Sequence, residues 1–532
     1  MAKTFNTTAV CVPEKHYMVN IEGRLYEIGK LIGDGKYFTV NRARQYGKTT
    51  TLLALIHYLK NDYSVVFLDF QILGSDDFST EHSFSLAFAS SFLDAWEWNG
   101  NVQSQEVREV LQEISQEMYQ EHFTLRILFG KLGKLCAVSD KPVVLIIDEI
   151  DSASNNQVFL DFLAQLRAQY IKRFQQPAFK SVILAGVYDI KNLKRKIRPE
   201  EKHKYNSPWN IAADFKVDMS FSAEEIAEML QEYESDHHTE MNTTEIADWI
   251  YCYTSGYPFL VSRLCQLIDE DIGPKEPYCL KKAGWNKTGF QAAVRMLLAE
   301  KNTLFESLSE KLESYPDLRE MLASLLFSGK TIAYNYYEPA INIATILGLV
   351  KNENGAVSVS NRIFETWLYN LYLSSAEMQK KSIYEASLRD KNQFIKDGQL
   401  NMKMILEMFV CHFHEIYGDK NKQFLEEEGR KYFLLYLRPI INGTGNYYIE
   451  ARTRNMRRTD VIIDYLGEQY IIEMKIWHGE EYNNRGERQL IGYLDDYHKN
   501  KGYMLSFSFN KNKQIGVHET VIDGKTIIEA VV

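Results

Sequence analysis

The sequence predicts an α/β protein: a parallel sheet with helices on both faces, then a helical segment and a winged-helix-like unit, then a separate C-terminal α/β domain. Three observations predict it. Apolar runs around Val65–Leu68, Val143–Ile147 and Ser181–Val187 alternate with stretches of helical period, the pattern of a buried parallel sheet. Gly47-Lys48-Thr49 stands where a strand turns into a helix. Beyond residue 400 a second set of strands and helices carries its own acids and a lysine.

At 532 residues two to four domains are expected. Hydrophobic residues make up 45% and charged residues 25%, which excludes wholesale disorder. The net charge of -10 argues against general coating of nucleic acid but leaves room for a local basic site. Cys11, Cys136, Cys252, Cys265, Cys279 and Cys411 have no paired spacing, which predicts reduced thiols and no zinc site. No signal peptide or bilayer-spanning run is read, so a cytoplasmic protein without a membrane partner is expected.

Residues before about 37 read as short strand-like pieces and turns, such as Gly33-Asp34-Gly35. The stretch that begins at Tyr37 reads first as a strand. A tight loop follows, then a helix from Lys48 through Leu52, Leu55, Ile56 and Leu59. Gly47, Lys48, Thr49 and Thr50 at such a turn form the core of a phosphate-binding loop, because backbone N–H groups at a helix start suit anions. Lys48 is expected to reach the β/γ-phosphates and the Thr49 hydroxyl to ligand Mg2+. The usual pattern has a glycine five residues before Gly47, and here it is Arg42. The plain alternative is an ordinary helix start.

The run Val143–Ile147 ends in Asp148-Glu149. Asp148 is expected to support Mg2+ and Glu149 to polarise a water; the plain alternative is a capped turn. Between these motifs, Tyr63–Phe70 reads as a strand and Thr80 to Lys134 as a long helical stretch. Asp161–Phe174 reads as a helix and Ser181–Val187 as another strand. Tyr188 or Asp189 beyond that strand is placed to sense a γ-phosphate. The basic segment Lys191–Lys204 reads chiefly as a solvated loop, and otherwise as a contact to nucleic acid or to a neighbouring subunit's nucleotide.

Residues 220–300 read as helical. Gly256-Tyr257-Pro258 shapes a helix start; in a nucleotide lid, Pro258 would pack on the base and Arg263 would face the phosphates. Residues 304–375 read as helix, helix, short helix, a hairpin turning at Asn354-Gly355, and a helix Arg362–Leu373. That order suggests a winged helix, for which a contact role is favoured. Residues 376–400 read as a charged helical connector.

In the C-terminal part, Glu426-Glu427-Glu428-Gly429-Arg430 opens an apolar helix. Strands are expected over 447–451, 459–465 and 469–476. Period two puts Glu473 and Lys475 on one face. With Asp460, they would set two carboxylates and an amine around one point, a site able to hold Mg2+ and orient a water on a phosphodiester. Gln489 and Tyr493, four apart on a helix, share a face. The plain alternative is a surface ion pair, which a central strand disfavours because buried charge is costly. Arg452, Arg454, Arg457 and Arg458 precede Asp460 and are expected to contact phosphates.

Both halves resemble known families. Arg42 through Thr49, the Val143–Glu149 strand and Gly256-Tyr257-Pro258 resemble the AAA-like ATPases of the STAND and archaeal P-loop groups. That resemblance implies ATP binding, a helical lid and a winged helix. Asp460, Glu473-Met474-Lys475 and Gln489-x-x-x-Tyr493 are similar to the PD-(D/E)XK nuclease superfamily, whose fold is restriction-endonuclease-like; the motif's proline is absent before Asp460. This second resemblance implies that Glu428 completes the site. The domains expected are 1–220 (ATPase core), 221–303 (lid), 304–375 (winged helix), 376–400 (connector) and 401–532 (nuclease-like). Together they suggest an ATP-controlled, Mg2+-dependent DNA nuclease, with Mn2+ as an alternative metal at the second site. The partners are then ATP, DNA, and a second copy of the chain or a regulatory protein. A signalling switch whose C-terminal domain only binds a partner, and a scaffold with both sites degenerate, are the competing readings.

Overall fold

The computed structural model describes residues 3–101, 104–153, 156–187, 209–275, 280–327, 331–396, 398–417, 426–441, 445–449, 461–466, 468–476, 480–508 and 514–532. The chain forms two compact units. The first holds Met1–Phe221 with the short pieces Tyr257–Phe259 and Ile346–Gly348; the second holds Ser222–Gly256, Leu260–Thr345 and Leu349–Val532.

In the first unit, α1 (Glu22–Gly33) leads into β1 (Tyr37–Asn41), α2 (Lys48–Leu59) and β2 (Ser64–Asp69). Then come α3 (Glu81–Trp98), α4 (Gln105–Glu117), α5 (Leu125–Val138), β3 (Val143–Asp148), α6 (Gln157–Lys172) and β4 (Ser181–Gly186). The four strands pair in parallel in the order β1-β4-β3-β2. Every residue of β3 and β4 is buried, as expected when helices cover both faces. One face packs on Leu25, Ile28 and Ile32 of α1 and Leu52, Leu55 and Leu59 of α2. The other packs on a phenylalanine-rich layer that includes Phe84, Phe88, Phe92 and Phe162.

Two expectations change here. The region before residue 37 contains a helix, α1, and its only β element among the described residues is an isolated bridge, Thr4 with His16. Leu25, Ile28 and Ile32 carry a helical period, but Gly23, Gly29 and Gly33 dilute it in the sequence. The stretch 80–134 is three helices. Gly100, at φ 66, follows α3, and the Ser104 hydroxyl accepts the Val107 N–H to cap α4.

The second unit opens with α7 (Ala223–His237) and α8 (Thr243–Thr254), followed by α9 (Pro258–Gln266), whose first residues belong to the first unit. A capping box at Ser222 and Glu225 starts α7. After α10 (Lys287–Ala299) come α11 (Thr303–Ser314), α12 (Pro316–Phe327), α13 (Pro339–Ile346), β5 (Val350–Glu353), β6 (Ala356–Val359) and α14 (Arg362–Leu373). The order of helices, hairpin and closing helix is the one read from the sequence. Asn354 and Gly355 both have positive φ, the geometry of a tight hairpin turn. An isolated bridge from Ala333 to Ala356 adds a second pairing to this hairpin.

The charged stretch after residue 375 forms α15 (Ser382–Asp390), whose Ser387 hydroxyl donates to the Tyr436 carbonyl. Then follow α16 (Met402–Tyr417), α17 (Glu426–Ile441), β7 (Gly445–Ile449), β8 (Val461–Tyr465), β9 (Glu468–Ile476), α18 (Glu480–Asp496), β10 (Lys501–Phe507), β11 (Gly516–Ile522) and β12 (Lys525–Val531). They make a mixed six-stranded sheet, order β11-β12-β10-β9-β8-β7. β7, β8 and β9 form an antiparallel meander; α18 then crosses over to β10, which is parallel to β9. α18 packs on the sheet through Leu490, Tyr493 and Leu494 against Ile471, Met504 and Ile527.

Candidate nucleotide site and a second polar site

The loop after β1 supplies the first site. Gln45 and Gly47 have positive φ, 56 and 76, and these two positions turn the chain into α2. Gly47 is the residue before the helix. The buried Lys48 ammonium donates to the carbonyls of Arg42 and Ala43, both at 3.1 Å. It thus lies across the mouth of the loop, where a phosphate would compete for it. The Thr49 hydroxyl donates to Asp148 Oδ2 at 2.7 Å, so the loop and the end of β3 meet at one point. Asp148 Oδ1 accepts the Glu149 N–H at 2.9 Å.

The electrostatics follow from burial. Burial pushes the Lys48 ammonium down, and Glu149, Asp151 and Asp148 oppose that shift. Burial also pushes the Glu149 carboxyl up; Lys48 opposes this, while Asp148, Asp151 and Asp69 reinforce it. A carboxylate raised in this way is a better proton acceptor than an exposed one.

Arg42 does not obstruct the loop. Its guanidinium turns away, donating to the carbonyls of Asn41 and Val217, each at 2.8 Å. It also lies 5.2 Å from the centre of the Phe215 ring. Tyr46 shares a hydrogen bond with Ser220 at 2.7 Å and meets Tyr257 edge-on at 4.7 Å. The Tyr257 hydroxyl donates to the Arg44 carbonyl. Side chains therefore brace the loop at the position where the usual pattern has a flexible glycine. Thr50 accepts the Cys11 N–H at 3.3 Å, which ties the N-terminal segment to the start of α2. Sequence reasoning missed these braces.

Pro258 is the first residue of α9, as expected, after Gly256 at φ 72. Arg263 departs from expectation. Its Nη2 lies 2.6 Å from Glu300 Oε2, its Nε donates to the same carboxylate, and Nη1 donates to Gln266. A fork already paired with a carboxylate is held by it, so the structure supplies a partner other than phosphate. Tyr188, Asp189 and Lys191–Lys204 lie outside the described residues.

The second site lies on the C-terminal sheet. Glu473, on β9, is 1% exposed. Lys475 Nζ lies 3.1 Å from Glu473 Oε1 and donates to Gln489 Oε1 at 3.1 Å. Gln489 Nε2 donates in turn to the hydroxyl of the buried Tyr493. Four of the expected residues thus form one connected series from β9 to α18. Gly486 makes room for it, since a Cβ there would come within 3.1 Å of Lys475 Cδ. Asp460, the Glu428 side chain and Arg452, Arg454, Arg457 and Arg458 lie outside the described residues. Among the described residues no group of three or more His, Cys, Asp and Glu side chains is placed to hold a metal. Asp464, the buried carboxylate of β8, accepts the Tyr253 hydroxyl at 2.7 Å.

Residues 15–373 match the AAA-like domain family, and that span contains the loop at Lys48, the acids after β3 and the β5–β6 hairpin with α14. The chain belongs to the AAA-like domain family. The AAA-like match ends before the C-terminal sheet. Among solved structures, the chain is similar to the Walker-type ATPase PABY2304 of Pyrococcus abyssi, at 13% identity over 68% of this chain and 99% of that one, TM-score 0.47. It is similar to the Aeropyrum pernix ORC2 protein, at 12% identity over 66% of this chain and 95% of that one, TM-score 0.37. A further similarity is to the Aeropyrum pernix ORC1 protein, solved in complex with DNA, at 12% identity over 66% and 93%, TM-score 0.29. No curated protein sequence matches this AAA-like chain. Among its described residues no helix is long and apolar enough to cross a membrane.

Proposed function

We propose that the AAA-like unit binds ATP with Mg2+ and hydrolyses it. The observation that carries this reading is the junction of loop and strand: Lys48 across the loop mouth, and Thr49 Oγ1 at 2.7 Å from Asp148 Oδ2. A hydroxyl and a carboxylate side by side are oxygen donors suited to a small hard cation, so Thr49 and Asp148 would hold Mg2+. Bound there, the ion supplies charge neutralisation at the phosphate oxygens. Lys48 would leave its two carbonyl partners for the β/γ-phosphates, while Gly47, Thr49 and Thr50 present the N-terminus of α2 to them. Glu149 would orient the attacking water and accept its proton, a role its raised carboxyl pKa suits. Pro258, at the start of α9, would pack on the base. Nucleotide titration and phosphate-release assays on the purified chain test this reading; absence of ATP binding would remove it.

A second activity is favoured by one specific observation, the series Glu473–Lys475–Gln489–Tyr493. We infer that this face of the C-terminal sheet is a metal-dependent deoxyribonuclease site under nucleotide control. Asp460 immediately precedes β8 in the chain, and with Glu473 and Glu428 it would supply the oxygen donors for Mg2+ or Mn2+. Lys475, oriented by Gln489, would hold the attacking water; Tyr493 fixes the amide of Gln489. Incubation with linear, circular and single-stranded DNA, with Mg2+ or Mn2+ and with or without ATP, tests it. No cleavage under any of these conditions would favour a C-terminal domain that only binds nucleic acid or a protein.

A further inference from the structure

The turn after β3 carries a third carboxylate, which the proposed hydrolysis does not use. Asp151 lies two residues beyond Glu149, in the single 3-10 turn Ile150–Ser152. Its Oδ2 accepts the Val187 N–H at 2.6 Å, just past the end of β4. The approach depends on Gly186. A Cβ there would come within 2.8 Å of Ile150 Cγ1 and 3.1 Å of Asp151 Oδ1.

Glu149 itself has a left-handed backbone, φ 51 and ψ 40. That conformation is unfavourable for a residue with a Cβ and persists only where its surroundings enforce it. The enforcing bonds are visible. The Glu149 N–H is held by Asp148 Oδ1, and its carbonyl accepts from the N–H of Ser152 at 3.2 Å and from the Ser152 hydroxyl at 2.9 Å. That hydroxyl also lies 2.9 Å from the Phe70 carbonyl, beyond β2. These contacts anchor the turn toward β2 and β3. The Asp151–Val187 bond anchors its middle to β4.

We propose that Asp151 is a positioning residue for Glu149: by pinning the turn to the end of β4 it holds Glu149 in its left-handed conformation, with the carboxylate at the reacting edge. The inference rests on the hydrolysis reading above. What Asp151 contributes is a hydrogen-bond acceptor. Its charge is separable, because an asparagine there keeps an oxygen for the Val187 N–H. Asp151→Asn should therefore keep the plateau rate.

The test measures kcat, ATP affinity and thermal midpoint for wild type, Asp151→Ala, Asp151→Asn, Gly186→Ala, Glu149→Gln and the Asp151→Ala/Glu149→Gln pair. Asp151→Ala should lower kcat on the order of 10²-fold with ATP affinity retained, the cost of misplacing a reacting group. Gly186→Ala, which displaces the turn while leaving Asp151 in the chain, should reproduce that loss. Asp151→Asn should restore the rate. In the Glu149→Gln background, Asp151→Ala should add no further loss, because its effect passes through Glu149. If Asp151→Ala and Gly186→Ala both turn over ATP like an active wild type, or if the two losses multiply in the double variant, the positioning role is overturned while the hydrolysis reading stands. A wild type that binds but never hydrolyses ATP defeats the hydrolysis reading itself, and this role with it.

Discussion

The ammonium of Lys475 and the carboxylate of Glu473 meet at 3.1 Å on one face of an interior strand. An exposed pair of this kind contributes only about 0–1 kcal/mol and has no need of a second-element partner. Here the carboxylate is buried, and Gln489 on α18 also holds the lysine. Burying a charge costs several kcal/mol in general. The nuclease site proposed above would use both groups. Lys475→Ala should therefore reduce metal-dependent DNA cleavage by at least ~10²-fold and leave DNA affinity near that of wild type. Cleavage assays paired with DNA titrations check this; an unchanged rate would return the pair to a structural role.

Replacing Arg42 by glycine would match the usual loop pattern, yet it should weaken the site. The guanidinium's bonds to the Asn41 and Val217 carbonyls would be lost, and charged hydrogen bonds of this kind contribute about 1.5–3 kcal/mol each before solvent exposure reduces them. Arg42→Gly should lower the thermal midpoint and raise the Kd for ATP. A variant that binds ATP more tightly than wild type would show that the brace is dispensable.

The acid side of the ATPase pH profile should report Glu149. Its carboxyl titrates above the ordinary carboxylate range, chiefly through burial. Hydrolysis requires the deprotonated form, so the rate should be full at neutral pH. It should fall as pH drops through a midpoint higher than that of an exposed glutamate. Asp69 contributes to the upward shift, and Asp69→Asn should move the midpoint to lower pH. A midpoint at or below the ordinary value would contradict the burial of this group.

Tyr253 donates to the buried Asp464 carboxylate at 2.7 Å. Tyr253→Phe keeps the ring and removes the donor. It should destabilise the chain by about 1–3 kcal/mol, the cost of a lost partner for a buried acceptor. Urea unfolding of the two proteins measures it, and an identical midpoint and slope would mean water replaces the hydroxyl without cost.

What could be read from the sequence was mostly what lies close together in it. Gly47-Lys48-Thr49 and the run into Asp148-Glu149 are contiguous, and strand period alone places Glu473 with Lys475. Gln489 and Tyr493 follow from helical spacing. The Asn354-Gly355 turn was legible because few residues adopt its backbone. The missing pieces are distant or locally disguised. Arg42 meets Val217 across 175 positions, and Tyr253 meets Asp464 across 211; no local pattern encodes either. Glycines masked α1. Arg263 looked free for phosphate because Glu300 is 37 residues away. Asp151 reads as an ordinary turn residue until β4 is placed beside it.

The most direct measurement is ATP titration with phosphate release on wild type, Lys48→Ala and Glu149→Gln. Wild type should bind and hydrolyse ATP in the presence of Mg2+. Lys48→Ala should bind it weakly, because the cation across the loop mouth is gone. Glu149→Gln should bind normally and hydrolyse at least ~10²-fold more slowly, as expected for loss of a general base. Equal ATP affinity in wild type and Lys48→Ala, or equal hydrolysis in wild type and Glu149→Gln, would contradict the nucleotide site built from these residues.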